Sequence, residues 1–177
     1  MNWKIKLKEL ENEKNWTDAI ALLQSVILKN PNNLDAYLFI NYLLMNILVE
    51  EEYDSSKFEY YCELIKSYFK LSYENFFDNP EYLFWTGFTA TMSEWFFEIE
   101  IEKAELMLLQ AYRKEPDNIL YIMGFLLQNE MTKIEDIYDF DKQFISKYPV
   151  LPEFLQNKGA LGEYLYSLIL SGSKNSH

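Results

Sequence analysis

Apolar residues along this chain recur mostly at intervals of three and four, the spacing that gathers them on one face of an α-helix. Trp3, Leu7 and Leu10 do so over Asn2–Glu13, and Trp16, Ala19, Leu23 and Val26 over Trp16–Lys29. Leu34–Val49 is apolar almost throughout. In Ser55–Glu74 the pattern is carried by Phe58, Tyr61, Cys62, Ile65, Tyr68 and Phe69, with Ser55 or Ser56 placed to cap the helix start. Pro80–Phe97 follows, with Asn79 as N-cap and Pro80 at the first helical position, where a missing N–H costs nothing. Ile101–Lys114, Asn118–Asn129, Ile134–Lys147 and Glu153–Leu170 bring the expectation to about nine helices. Gly159 and Gly162 mark an interruption in the last of them, and Pro149 and Pro152 bracket the turn before it. Period-two alternation joined by hairpin turns is almost wholly missing. The chain is therefore expected to be all-α, one compact domain over residues 1–170, with 171–177 as a disordered tail.

Two stretches share one spacing. Ala19, Leu23, Val26 and Pro31 recur as Ala104, Leu108, Ala111 and Pro116. A small residue lets two helices approach, a larger one fills the space beside it, and the Pro ends the helix where the chain must turn back. In this spacing NWTDAIALLQSVILKNPNNLDAY and EKAELMLLQAYRKEPDNILY resemble the tetratricopeptide repeat. Asn41 stands where the first helix of such a unit usually carries Gly. The resemblance implies stacked antiparallel hairpins in a solenoid, and a protein that binds other proteins rather than performing chemistry.

Pro80–Phe97 carries Tyr82, Phe84, Trp85, Phe88, Trp95, Phe96 and Phe97 almost all round. A helix apolar on every face is buried between neighbours, so these aromatics are expected in the core. Tyr37, Phe39, Tyr42 and Met45 are read in the same way.

Charge changes the picture more than composition does. The chain has 16 basic and 28 acidic residues, a formal net charge of −12. Nucleic-acid binding needs a basic surface, so this balance points instead to a basic protein partner. His177 is the single histidine, which excludes Ser-His-Asp and Cys-His catalysis and ordinary His-containing zinc sites. Cys62, the lone cysteine, excludes an intramolecular disulfide, fits a reducing compartment, and is expected as a small core residue. Gly159-Ala160-Leu161-Gly162 lacks the Lys-Ser/Thr of a phosphate loop. Carboxylate pairs such as Glu98 and Glu102 show no sign of converging from several helices, so neither an enzyme nor a bound metal or cofactor is expected. Trp3 to Lys8 alternates basic and apolar residues instead of forming a leader. The uncharged run Ala36–Val49 falls short of the ~20 apolar residues of a spanning helix, which leads to an expected cytoplasmic location with no membrane contact.

The acids are clustered. They concentrate at Glu50-Glu51-Glu52-Tyr53-Asp54, over Glu94–Glu105 with Glu94, Glu98 and Glu102, and over Glu130–Asp141 with Glu130 and Asp136. These are junctions between expected helices, and alternate turns of a hairpin stack emerge on one edge. Asp54, Glu102 and Asp136 lie in or just before first turns, where the helix dipole favours anions, but Glu50, Glu51, Glu94, Glu98 and Glu130 fall near C-terminal ends, where it does not. The opposite turns carry Lys29, Lys114 and Lys147. Through its charge, its size, its missing catalytic groups and the clusters Glu50-Glu51-Glu52 and Glu98-Ile99-Glu100-Ile101-Glu102, the chain is similar in character to immunity proteins of bacterial toxin systems. That similarity implies an inhibitor that covers the active site of a basic toxin domain, a nuclease, with the acidic edge as its contact surface. The alternative expectation is a repeat-type secretion chaperone or adaptor that holds an extended peptide on its concave face.

Overall fold

The computed structural model describes residues 2–128, 149 and 151–172. Among them the fold is all-α, with no strand: α1 Trp3–Asn12, α2 Trp16–Lys29, α3 Leu34–Glu50, a 3₁₀ turn Ser55–Lys57, α4 Phe58–Phe76, α5 Pro80–Ala90, α6 Glu94–Phe97, α7 Ile101–Lys114, α8 Ile119–Gln128, α9 Leu151–Gln156 and α10 Gly159–Gly172. The expected helix over Ile134–Lys147 lies outside the described residues.

Asparagine caps the start of α1, α2, α3 and α5. The side-chain oxygens of Asn2, Asn15, Asn33 and Asn79 accept from the N–H groups of Lys4, Asp18, Ala36 and Tyr82, satisfying donors that the first turn leaves unpaired. The repeated sequence spacing is also a repeated geometry. Asn30 leaves α2 at φ −142°, ψ 89°, and Glu115 leaves α7 at φ −136°, ψ 75°. Three residues later Asn33 N–H reaches the Asn30 carbonyl, and Asn118 N–H the Glu115 carbonyl, both at 3.0 Å. Ala19, Leu23, Ala104, Leu108 and Ala111 are all buried. α5 and α7 approach closely at Gly87, where a Cβ would sit 3.0 Å from the Ala104 carbonyl oxygen and 3.1 Å from Met107 Cβ.

α1, α3 and α5 form one layer, with α2, α4 and α7 packed against it. α3 is buried continuously from Ala36 to Met45, and α5 from Tyr82 to Ala90, as helices apolar on all sides must be. Asn41 Nδ2 donates to Ser72 Oγ across the α3–α4 contact at 3.1 Å, and Ser72 Oγ bonds Tyr82 OH at 2.9 Å. The position where a repeat would carry Gly is here a polar pin between three helices.

The structure corrects several expectations. Pro80–Phe97 is two helices. Thr89 Oγ1 donates to the Trp85 carbonyl at 2.9 Å and Thr91 Oγ1 to the Phe88 carbonyl at 2.8 Å. Such hydroxyls compete with the helical ladder, and the chain breaks before Glu94. Pro152 sits inside the first turn of α9, where Pro is tolerated. The interruption near Gly159 is present, with Gly159 at φ +58°. Ser171 and Gly172, assigned to a tail, belong to α10; residues 173–177 lie outside the described residues. Cys62 is half-buried instead of in the core. Asp54, not Ser55 or Ser56, caps the 3₁₀ turn, its carboxylate accepting from Ser56 N–H at 3.0 Å.

Candidate functional site

Two surfaces carry concentrated charge, and the molecule treats them differently. On the first, α9 and α10 fold back over the layer of α1, α3 and α5. Lys158, at the bend between α9 and α10, is 8% exposed. Its ammonium reaches Asp35 Oδ1 of α3 at 2.6 Å and Glu81 Oε1 of α5 at 2.5 Å. Lys4 of α1 approaches the other Asp35 oxygen at 2.6 Å and donates to the Asn157 carbonyl at 3.1 Å. Burial alone would lower the Lys158 ammonium, but its bonds to Asp35 and Glu81 outweigh that and raise it. Burial would likewise raise the Asp35 carboxyl, and the bonds from Lys158 and Lys4 instead hold it below its ordinary range. Around this polar knot, Tyr164 of α10 lies 6.3 Å from Tyr42 and 6.2 Å from Phe88 between ring centroids. Lys8 pairs with Glu163 at 2.7 Å. Beside that pair the Glu11 carboxyl is pushed up to about 7, first by burial and then by the charge of Glu163.

The second surface runs along the N-terminal half of α4, between the α3–α4 connection and α6. It is built by aromatic packing. Phe97 is buried with its ring 5.5 Å from Phe69 of α4, and Phe96 lies 6.3 Å from Phe58. These contacts join α6, which precedes one acidic stretch, to α4, which follows another. Glu50 ends α3 and is exposed; Glu52 and Asp54 are exposed in the connection. Glu98 closes α6 in the left-handed region, φ +53°, and is exposed; Glu100 and Glu102 are exposed as the chain enters α7. The nearby cations are engaged. Lys66 bridges Glu98 at 2.8 Å and Glu63 at 3.2 Å. Lys57 donates to Thr17 at 3.2 Å, and Lys103 to Tyr73 OH at 2.7 Å.

The candidate residues thus divide. Glu50, Glu52 and Asp54 are exposed before α4, and Glu98 and Glu102 are exposed after α6, where Glu98 is bridged to Lys66 of α4 at 2.8 Å. Glu51 is half-buried and paired with Lys14 at 2.8 Å, so its charge is spent internally. Glu94 is half-buried and opens α6; because the helix read as continuous is broken, Glu94 sits at a favourable N-terminal position and the dipole argument made for it is withdrawn. Glu130 and Asp136 lie outside the described residues. Residues that sequence reasoning placed elsewhere also belong here. Trp95, expected in the core, is 60% exposed, and Phe58 is 45% exposed. The signal was available: three consecutive aromatics on one helix point about 100° apart and cannot all face inward.

No protein-family model matches the chain, and no curated protein or solved structure matches it either. Among the described residues no cluster of three or more His, Cys, Asp or Glu could hold a metal ion, and no helix is long and apolar enough to cross a membrane. What the α4–α6 side can do chemically is attract and orient cations. What the α9–α10 side does is hold the chain to itself.

Proposed function

We propose that this chain is a protein-binding inhibitor, an immunity protein that neutralises a basic toxin domain, a nuclease, by laying its acidic α4–α6 side over the active site. The observation that supports this is the exposure of carboxylates on the two stretches joined by the Phe58–Phe96 contact, Glu50, Glu52 and Asp54 before α4 and Glu98, Glu100 and Glu102 after α6. A nuclease active site is shaped to receive phosphate. Exposed carboxylates occupy the same positive field, and opposite fields raise the association rate. The chaperone reading is less well supported, because the layer on which a hairpin stack would take an extended peptide is covered by α9 and α10.

On this reading a toxin with a basic nuclease domain is encoded beside the gene, and that domain is the ligand for the test; the absence of any such neighbour counts against the proposal. Reversing Glu50, Glu52 and Glu100 to Lys slows association and removes protection, whereas reversing Glu74, Asp117 and Glu153, which changes net charge equally elsewhere, does not. The wild-type association rate falls steeply with salt, since the screening length drops from ~10 Å at 0.1 M to ~3 Å at 1 M. Equal protection by both triple variants sinks the proposal.

A further inference from the structure

The acids explain attraction, but the same side also carries apolar area that the fold leaves uncovered. Trp95, Phe96 and Phe58 form a contiguous set, with ring centroids 5.6 Å apart for Trp95–Phe96 and 6.3 Å for Phe58–Phe96. Single exposed apolar residues are ordinary, but contiguous ones rimmed by charge mark contact sites. Trp95 sits on a backbone that is anchored on its C-terminal side. Its neighbour Phe97 is 2% exposed, Phe96 is wedged against Phe58, and the left-handed Glu98 turns the chain away immediately afterwards. With the backbone anchored, only the two side-chain torsions of Trp95 remain to be fixed on binding.

We infer that the partner contact on this side is an apolar cleft rimmed by Lys and Arg, that Trp95 is the side chain that enters it, and that Trp95 sets the lifetime of the complex while the surrounding carboxylates set its rate of formation. The inference rests on the reading of the α4–α6 side as a docking surface for a basic protein. A second copy of this chain is the wrong occupant, because Glu98, Glu100 and the Glu50–Asp54 stretch would face their like. An anionic membrane is wrong for the same reason.

Fluorescence can follow this residue. Trp16 and Trp85 are buried, Trp3 is half-buried, and Trp95 is exposed, so a collisional quencher such as acrylamide reads mainly Trp95. The probe is a short amphipathic helix of Leu and Lys, which presents an apolar face with a cationic rim. Its control is a peptide of equal charge made of Ser and Lys. The Leu–Lys peptide should shield Trp95 from acrylamide and shift its emission to the blue, and the Ser–Lys peptide should bind more weakly and shield nothing. Trp95→Ala should weaken the labelled Leu–Lys peptide by roughly 10-fold or more, mostly through dissociation, with the salt dependence of association unchanged. If Trp95→Ala binds the Leu–Lys peptide as tightly as the parent while the Ser–Lys peptide still binds, the anchor is overturned and the acidic docking surface stands. If neither peptide binds in low salt, the docking reading itself fails and takes this inference with it. Concentration-dependent dimers abolished by Trp95→Ala, or binding to phosphatidylglycerol vesicles abolished by it, would overturn the inference in favour of self-association or a lipid surface.

Discussion

The α9–α10 side and the α4–α6 side hold similar chemical material in opposite arrangements. Around Lys158 the charges are paired: Asp35 serves both Lys158 and Lys4, Glu81 completes the knot, and Tyr42 and Phe88 are buried, with Tyr164 and Phe154 of the covering helices still 39% and 41% exposed. Along α4 Lys66 is taken by Glu63 and Glu98, while Glu50, Glu52, Asp54, Glu100 and Glu102 have no ion pair among the described residues, and Trp95 and Phe58 reach solvent. Charge is structural where it is buried and paired, because removing one member leaves another uncompensated. Charge is free to act on a partner where the fold does not need it. The number of acids on a face therefore says less than whether they are already answered.

Variants can break that contrast, and the largest effect should come from the paired side. Lys158→Met strips Glu81 of its buried counter-ion and leaves Asp35 with Lys4 alone; urea unfolding should show a loss of roughly 3–5 kcal/mol. Glu11 is next. Its folded carboxyl titrates near 7 against an ordinary 4.5, so the folded state holds that proton more tightly than the unfolded one. Stability should then fall as pH rises from 4.5 through 7, with the cost complete above that range. Glu11→Gln should gain about 3 kcal/mol at pH 8 and almost nothing near pH 4.5, as thermal melts at the two pH values would record. A pH-independent gain would mean that Glu11 is not held up by burial beside Glu163. Ala19→Leu and Ala104→Leu should each lose roughly 1–3 kcal/mol by overpacking, and an unchanged melting midpoint for both would contradict the tight burial of these two alanines. The smallest change belongs to the α4–α6 side. Reversing Glu50, Glu52 and Glu100 to Lys should move stability by no more than about 0.5 kcal/mol, and a larger loss would show that those acids are structural after all.

Local pattern carried much of this fold. The Ala19 and Ala104 spacings specified two turns that match in hydrogen bonding and nearly in backbone angles, and the all-round apolar character of α3 and α5 identified the centre of the core. The break before Glu94 was missed because periodicity counts apolar positions, whereas the break is made by Thr89 and Thr91 hydroxyls bonding the preceding turn. That error propagated to the site: it buried Trp95 on paper and set Glu94 at the wrong end of a helix. The return of α9 and α10 was also out of reach, since nothing around Lys158 announces Asp35 as its partner. At the candidate site the exposed acids were legible as clusters. The split between Glu51, spent on Lys14, and Glu50 and Glu52, left free, depends on where α1 ends relative to α3, and only packing decides that.

The bond from Lys158 to Asp35 joins residues 123 positions apart in the chain. During synthesis, every helix that Lys158 and α10 will cover emerges first and must wait, with Phe39, Tyr42 and Phe88 on an open face and Asp35 holding a carboxylate that lacks its buried counter-ion. A chain interrupted before Leu151 is therefore more than a slightly shorter protein. It lacks the α10 residues that pack on Phe39, Tyr42 and Phe88, and with them the covering of that aromatic face.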